Sequence, residues 1–238
     1  MDLTLGIVKE NYDADNPGKL KVTLPTFADK ASETAWLPVA ASYAGNGYGL
    51  YIMPEKDDQV IVGFLDGDIH SGVILGSLWN KKNALPPDIS NDKNDVRAFI
   101  TKGGHSFIVK DGDEGHITLK SKSGHSIIIS DKEKKITITT GDKKQSIELD
   151  EGAGSVSVLA DKKISLIAGD ISLEGKIQTK GGSIKMEADN NYELKAKQLK
   201  VEGSNIKLSG QSTEIKGANL KVESSGLLTL KGSMTKIN

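Results

Sequence analysis

Asn205-Ile-Lys-Leu208, Asn219-Leu-Lys-Val222 and Leu227-Leu-Thr-Leu230 are copies of one short pattern that recurs through the second half of the chain. In each, apolar and polar residues alternate. Alternation at period 2 specifies a strand with one face buried. Earlier copies are Lys135-Ile-Thr-Ile-Thr-Thr140, Lys163-Ile-Ser-Leu166 and Asp170-Ile-Ser-Leu173. Gly, Asp, Asn and Ser separate them, as at Gly141-Asp142, Gly203-Ser204 and Gly217-Ala218. These are turn residues, Gly for positive φ and Asn or Asp for local side-chain bonds to the backbone.

One inward apolar residue per strand gives Leu166, Leu173, Met186, Leu194, Val201, Leu208, Ile215, Val222, Leu230 and Ile237, mostly seven or eight residues apart. The wider step before Met186 has room for a strand at Ile177. A single-chain parallel β-helix needs about 20 or more residues per turn. A unit of seven or eight is one strand and one corner, so the pattern requires neighbours above and below. A second period lies upstream: Gly104-His-Ser106 with Phe107-Ile-Val-Lys-Asp111 returns twenty residues later as Gly124-His-Ser126 with Ile127-Ile-Ile-Ser-Asp131. Gln145-Ser-Ile-Glu-Leu-Asp150 is a degenerate third copy. We read these as the wider start of the same rod. The competing reading is a flat antiparallel meander or a sandwich, with turns every 8 to 12 residues or so. A scarcity of large core residues favours the rod: after Phe107 the only aromatic is Tyr192, and sandwich cores are filled with bulkier side chains.

Composition divides the chain. All six prolines lie at or before Pro87, and nine of the eleven Phe, Trp and Tyr residues at or before Phe99. The boundary falls between Asn80 and Val96, giving an N-terminal domain over 1–80, a linker over 81–95 and a shaft over 96–238. The net charge is −1, with 31 basic and 32 acidic residues, so no basic surface points to nucleic acid or an anionic membrane. The run Lys132-Glu-Lys-Lys135 reads as a solvated corner. With no cysteine, disulfides and thiolate metal sites are excluded. Met1-Asp-Leu-Thr-Leu-Gly6 reads as the start of a strand rather than a signal peptide, and no apolar run reaches transmembrane length. Synthesis in the cytoplasm is the expectation.

The N-terminal domain reads as short strands at Thr4–Lys9, Lys19–Leu24, Thr34–Ala41, Leu50–Met53, Gln59–Leu65 and Gly72–Leu78. Pro38 suggests an edge or a bulge in the third. Gly45-Asn-Gly-Tyr-Gly49 reads as a flexible loop; it lacks the helix and Lys-Ser/Thr that a phosphate cradle needs. So few strands without helices close most naturally as a small barrel of OB type. Single-stranded nucleic acid would require a basic groove with exposed stacking aromatics. The aromatics here sit mostly at alternating strand positions, where core or subunit contact is expected.

A family resemblance attaches to these residues. Gly6-Ile-Val8, Asn11, Lys19-Leu-Lys-Val-Thr-Leu-Pro25, Trp36, Ala44-Gly-Asn-Gly47, Pro54-Glu-Lys-Asp57, Val60-Ile-Val-Gly-Phe64, Gly67-Asp68 and Gly76-Ser-Leu-Trp-Asn80 resemble, in order, the OB domain of phage baseplate assembly protein V and VgrG-type spikes. Ser71 stands where proline is expected after the Gly-Asp pair. The later strands resemble the family's intertwined triple-stranded β-helix. The implied protein is an all-β, homotrimeric central spike of a phage tail, tailocin, type VI-like or extracellular injection particle. Its OB barrel would sit on a baseplate hub, and its needle would pass transiently through the target membrane.

Some spikes of this family carry a lysozyme domain between barrel and rod, but the join here spans about 15 residues, too few for an enzyme domain. A catalytic shaft would need a concave site with perturbed acids and an aromatic platform, and the rod offers none. Neither enzymatic activity nor a cofactor is expected. Some relatives close their tip with a His-x-His iron site; the four histidines, His70, His105, His116 and His125, form no such pair. His105 and His125 share a Gly-His-Ser setting and read as structural positions at strand starts. The chain ends on a strand, whose unpaired backbone and apolar Met234 and Ile237 would recruit a partner. Resemblance implies a PAAR-repeat tip protein there, on a platform of Met234, Thr235, Lys236, Ile237 and Asn238. The remaining alternative is a trimeric receptor- or glycan-binding fibre, against which stands the lack of an aromatic-rich tip.

Overall fold

The computed structural model describes residues 2–25, 32–64, 68, 71–87, 89–234 and 236. Those residues hold strands, turns and extended chain, with no helix among them. The chain divides into two compact units, Met1–Ala168 and Gly169–Asn238.

The first unit opens with a barrel. Its long strands are β1 (Asp2–Glu10), β2 (Lys19–Leu24), β7 (Gln59–Phe64) and β8 (Gly72–Leu78); β3 (Ser32–Glu33) and β4 (Leu37–Pro38) are two-residue pieces. The sheet runs β3-β2-β1-β7-β8, all antiparallel, and β4 pairs with β2. Closure comes through the residue after β4. Val39 bridges Ile74 of β8, and the Ala40 amide donates to the Ile74 carbonyl at 2.8 Å. The two ends of the sheet are thereby joined, which leaves no long edge free.

Period 2 governs what is buried. Leu20, Val22 and Leu24 of β2 point inward in turn, as do Val60, Val62 and Phe64 of β7. With Val8, Leu37 and Ile74 they make a core in which every side chain is at most 1% exposed. Thr34 is the buried polar residue. Its hydroxyl accepts from the Val22 amide at 3.1 Å and donates to the Ala35 carbonyl at 2.8 Å, so it leaves no group unsatisfied.

Three expectations for this domain need correction. Leu50–Met53 is not a strand. Its four residues are continuously apolar rather than alternating, and only Met53 packs against the core. The third expected strand shrinks from Thr34–Ala41 to Leu37–Pro38, since Pro38 has no N–H for the ladder. Gly45–Gly49 is no free loop: β5 (Ala44–Gly45) and β6 (Tyr48–Gly49) form a hairpin around Asn46-Gly47, the dipeptide favoured in two-residue hairpin turns.

Residues 96–159 form a second sheet of seven strands: β9 (Val96–Ile100), β10 (Ser106–Lys110), β11 (His116–Lys120), β12 (Ser126–Ser130), β13 (Lys135–Thr139), β14 (Ser146–Asp150) and β15 (Ser155–Leu159). They pair in chain order, each antiparallel to the last. The competing meander reading therefore holds over this stretch, where the chain pairs with itself. Scarcity of aromatics did not exclude it, because a single layer has no thick inter-sheet core to fill. The twenty-residue repeat is one strand, its return partner and two turns, so Ser106 and Ser126 open alternate strands, β10 and β12.

In the second unit the apolar alternation persists, yet no strand pairing involves a described residue after Leu159. Its described residues are all exposed.

Candidate functional site

The seven-stranded sheet has two unlike faces. Every strand from β10 to β15 puts its second and fourth residues on one side, and the register aligns them into two ladders. One ladder runs Phe99, Phe107, Leu119, Ile127, Ile138, Ile147, Val158. The other runs Arg97, Val109, Ile117, Ile129, Ile136, Leu149, Val156. Thirteen of these fourteen side chains are apolar, and twelve are at least 39% exposed. The only charge, Arg97, sits on the first strand. With strands of five residues, about 3.4 Å per residue and about 4.8 Å between strands, this face covers roughly 500 Å². A sheet of this size gains independent stability only when one such face is packed.

The opposite face is mostly polar, with Ile108 and Ile128 among its residues, and better satisfied. Lys135 lies 3.1 Å from Glu148 and 3.0 Å from Asp150, its direct cross-strand partner. The two carboxylates raise the Lys135 pKa above its usual value. Asp150 is held below its own, first by the Ala153 amide and then by Lys135. Between two of the turns Lys132 pairs with Glu114 at 2.5 Å, lowering the Glu114 pKa.

The turns repeat as well. His125 accepts the Gly141 amide at 3.1 Å through Nδ1, and His105 receives the Lys122 amide at 3.4 Å in the same way. Each ring thus bridges to the neighbouring turn sixteen or seventeen residues on, the structural use expected of the repeated Gly-His-Ser. Thr101 and Ser121 cap these turns, their hydroxyls accepting the His105 and His125 amides at 3.1 Å. Gly104 and Gly124 hold φ of 87° and 88°, a conformation glycine adopts without a Cβ penalty. His116 contacts the Glu114 carbonyl at 2.8 Å, and His70 lies outside the described residues. Among the described residues no three His, Cys, Asp or Glu side chains are grouped to hold a metal ion.

The motif residues of the barrel hold its loops. Gly6 is required by close approach: a Cβ there would lie 2.2 Å from Cγ1 of Val22. The Pro54–Asp57 turn is clamped to β1, with the Val8 amide donating to Asp58 at 3.0 Å and the Asp57 amide to Val8 at 2.9 Å. Asn11 Nδ2 reaches the Pro54 carbonyl at 3.3 Å. Asn80 Nδ2 donates to Gln59 at 3.0 Å, while its Oδ1 accepts the Lys82 and Asn83 amides at 2.8 Å.

Residues 4–79 match the family model of the type VI secretion system and phage-baseplate injector OB domain. The chain is 30% identical over 93 residues to the type VI secretion system spike protein VgrG5 of Pseudomonas aeruginosa, covering 37% of this chain and 12% of that protein. It is 32% identical over 87 residues to the spike protein VgrG3 of Vibrio cholerae, covering 35% and 9%. The match to VgrG1a of P. aeruginosa reaches 107 residues at 26% identity, covering 43% and 17%. Over residues 4–79 the barrel is thus similar to injector OB domains, and this part of the chain resembles VgrG spike proteins. The chain spans about a tenth of the length of the first of these relatives.

Most of the barrel's described aromatics lie outside its core. Among the described residues Phe64 is the only aromatic in the buried core; Tyr43, Tyr48 and Tyr51 crowd the β5–β6 hairpin and the segment after it, all exposed. The Tyr43 and Tyr48 rings meet at a tilt of 39°, with centroids 5.3 Å apart. Leu50 and Ile52 extend this apolar patch. The continuous apolar run Leu50-Tyr-Ile-Met53 was the sequence signal for it. Of the expected tip residues, Met234 is exposed and Lys236 is described, whereas Thr235, Ile237 and Asn238 lie outside the described residues.

Proposed function

We propose that this VgrG-like chain is a structural, non-enzymatic central spike of a contractile injection machine, and that it works as a homotrimer. The observation that carries the trimer is the two-ladder apolar face of residues 96–159. Three copies around a three-fold axis turn those faces toward one another and make a closed three-sided core from single-layer sheets. The second unit supports the same reading. Its described alternating apolar residues find no cover within one chain, and an extended chain whose ladder bonds are not made internally needs strands from other copies.

In this reading the injector OB domain faces the baseplate hub, with the exposed Tyr43, Tyr48 and Tyr51 patch as its contact surface. Residues 96–238 form the shaft, and Met234 to Asn238 form the platform for a PAAR-repeat tip protein. The particle, a phage tail or a related injection system, would carry the shaft through a target membrane. Relatives named as type VI secretion spike proteins support this placement.

The test is a charge placed in the apolar ladder. With Ile127 and Ile138 both changed to Asp, cross-strand neighbours on β12 and β13, the assembly should dissociate to single chains in light scattering. An unchanged mass would refute the facing of these surfaces. Deleting residues 234–238 should instead leave the trimer intact and abolish binding of a PAAR-repeat protein; undiminished binding would remove the tip assignment.

A further inference from the structure

In the second unit, charged pairs bracket the inward apolar residues. Lys185 and Glu187 flank Met186 and pair with each other at 2.5 Å, Lys200 and Glu202 flank Val201 and pair at 2.6 Å, and Glu214 and Lys216 flank Ile215 and pair at 2.8 Å. Lys221 and Glu223 flank Val222 and are paired in the same way. Residues two apart in extended chain share a face, so each pair stands on the side opposite its apolar residue. All eight charged side chains are about 70–80% exposed.

The order of the two signs changes from unit to unit. Before the inward residue stand Lys185, Glu193, Lys200, Lys207, Glu214 and Lys221 in six successive units. After it stand Glu187, Lys195, Glu202, Ser209, Lys216 and Glu223. Within one chain this alternation has no consequence, since each pair satisfies itself. It acquires one only between stacked strands, where matched positions lie about 4.8 Å apart.

We propose that these two charge columns set the register between subunits, holding each strand on the preceding unit of a neighbouring copy. The inference rests on the trimeric reading above. A three-fold axis makes neighbouring copies run the same way and puts equal units on the three faces of one layer, so the strand above must come from a later unit. With a stagger of one unit, the ten matched positions comprise seven opposite-charge pairs, two that involve Ser209 and one like pair, Lys200 with Lys207. With a stagger of two, the eight matched positions comprise three opposite, three like and two neutral. Directly opposed unlike charges stabilise adjoining strands and like charges destabilise them, so the one-unit stagger is selected. Ladders of Ile, Leu and Val, being uniform, cannot make that choice.

The experiment exchanges signs without altering composition. Glu193→Lys with Lys195→Glu keeps the pair within its strand and turns four opposite matches into four like ones in every copy. Exchanging Lys185 with Glu187 and Lys200 with Glu202 in the same protein restores all four and converts the Lys200–Lys207 match to an opposite one. Thermal melting of the full-length trimer should fall by about 5 °C or more for the first variant at low salt. It should return to the parent value or above in the second, and the gap should shrink in about 1 M salt, where screening is short-ranged. An unmoved melting temperature in the first variant, or an equal loss in both, overturns the register proposal. A parent chain that is monomeric overturns the trimer itself.

Discussion

The N-terminal barrel and the sheet that follows it use the same alternation to opposite ends. In the barrel, nine apolar side chains are at most 1% exposed, and the chain closes on itself through Val39 and Ile74. In the sheet, the residues at equivalent inward positions stay open, with Ile127, Ile129, Ile136 and Ile147 each 39% exposed. The barrel is curved by a register shift between Val8 and Glu10 and another between Ile61 and Val62, which bend and twist a sheet until it can close. Residues 96–159 run in unbroken register and stay a single layer. The first region carries its core within one chain. In the proposed trimer, the second holds a share of a core that other copies would complete.

This contrast can be broken at several points. The largest effect within the barrel is expected from Phe64→Ala, because Phe64 is fully buried; about 3–5 kcal/mol of barrel stability should be lost. The trimer mass should stay the same, since the shaft supplies the association. Dissociation of this variant into single chains would show that the barrel holds the copies together. Gly6→Ala should cost about 1–3 kcal/mol by overpacking against Val22, read as a lower denaturant midpoint; an unchanged midpoint would mean β1 and β2 can separate freely.

The smallest effect is on the polar face. Asp150 is held below its ordinary value of 3.8, so what its charge contributes is present above that value and is lost as pH falls through the lower folded one. Asp150→Asn should therefore melt below the parent at neutral pH, with the gap closing as pH falls from about 4 through the lower folded value. A gap that stays constant into acid would assign the effect to something other than this carboxylate.

Much of this architecture was legible in the sequence. The strands at β1, β2, β7 and β8 follow directly from alternation bounded by Gly, Pro and Asn, and the Asn11, Pro54–Asp57 and Asn80 positions proved to be loop clamps. The β5–β6 hairpin was obscured by glycines on both sides of Asn46-Gly47, which read as slack. Alternation also cannot say whose strand lies alongside. Val96–Leu159 and the later units have the same apolar period, yet one pairs within the chain and the other does not. The distinguishing signal is the unit length. Strand starts at Val96, Ser106, His116 and Ser126 are ten residues apart, leaving five for each reversing turn, whereas the later units of seven or eight leave two or three.

The most direct test of the central claim is the solution mass of the intact chain, measured by light scattering on a sizing column. A particle of about 76 kDa, three times the 25.4 kDa chain, eluting early for its mass, is the predicted result. A compact particle of 25.4 kDa would contradict it, because the apolar ladders of residues 96–159 would then have to find their cover within a single chain.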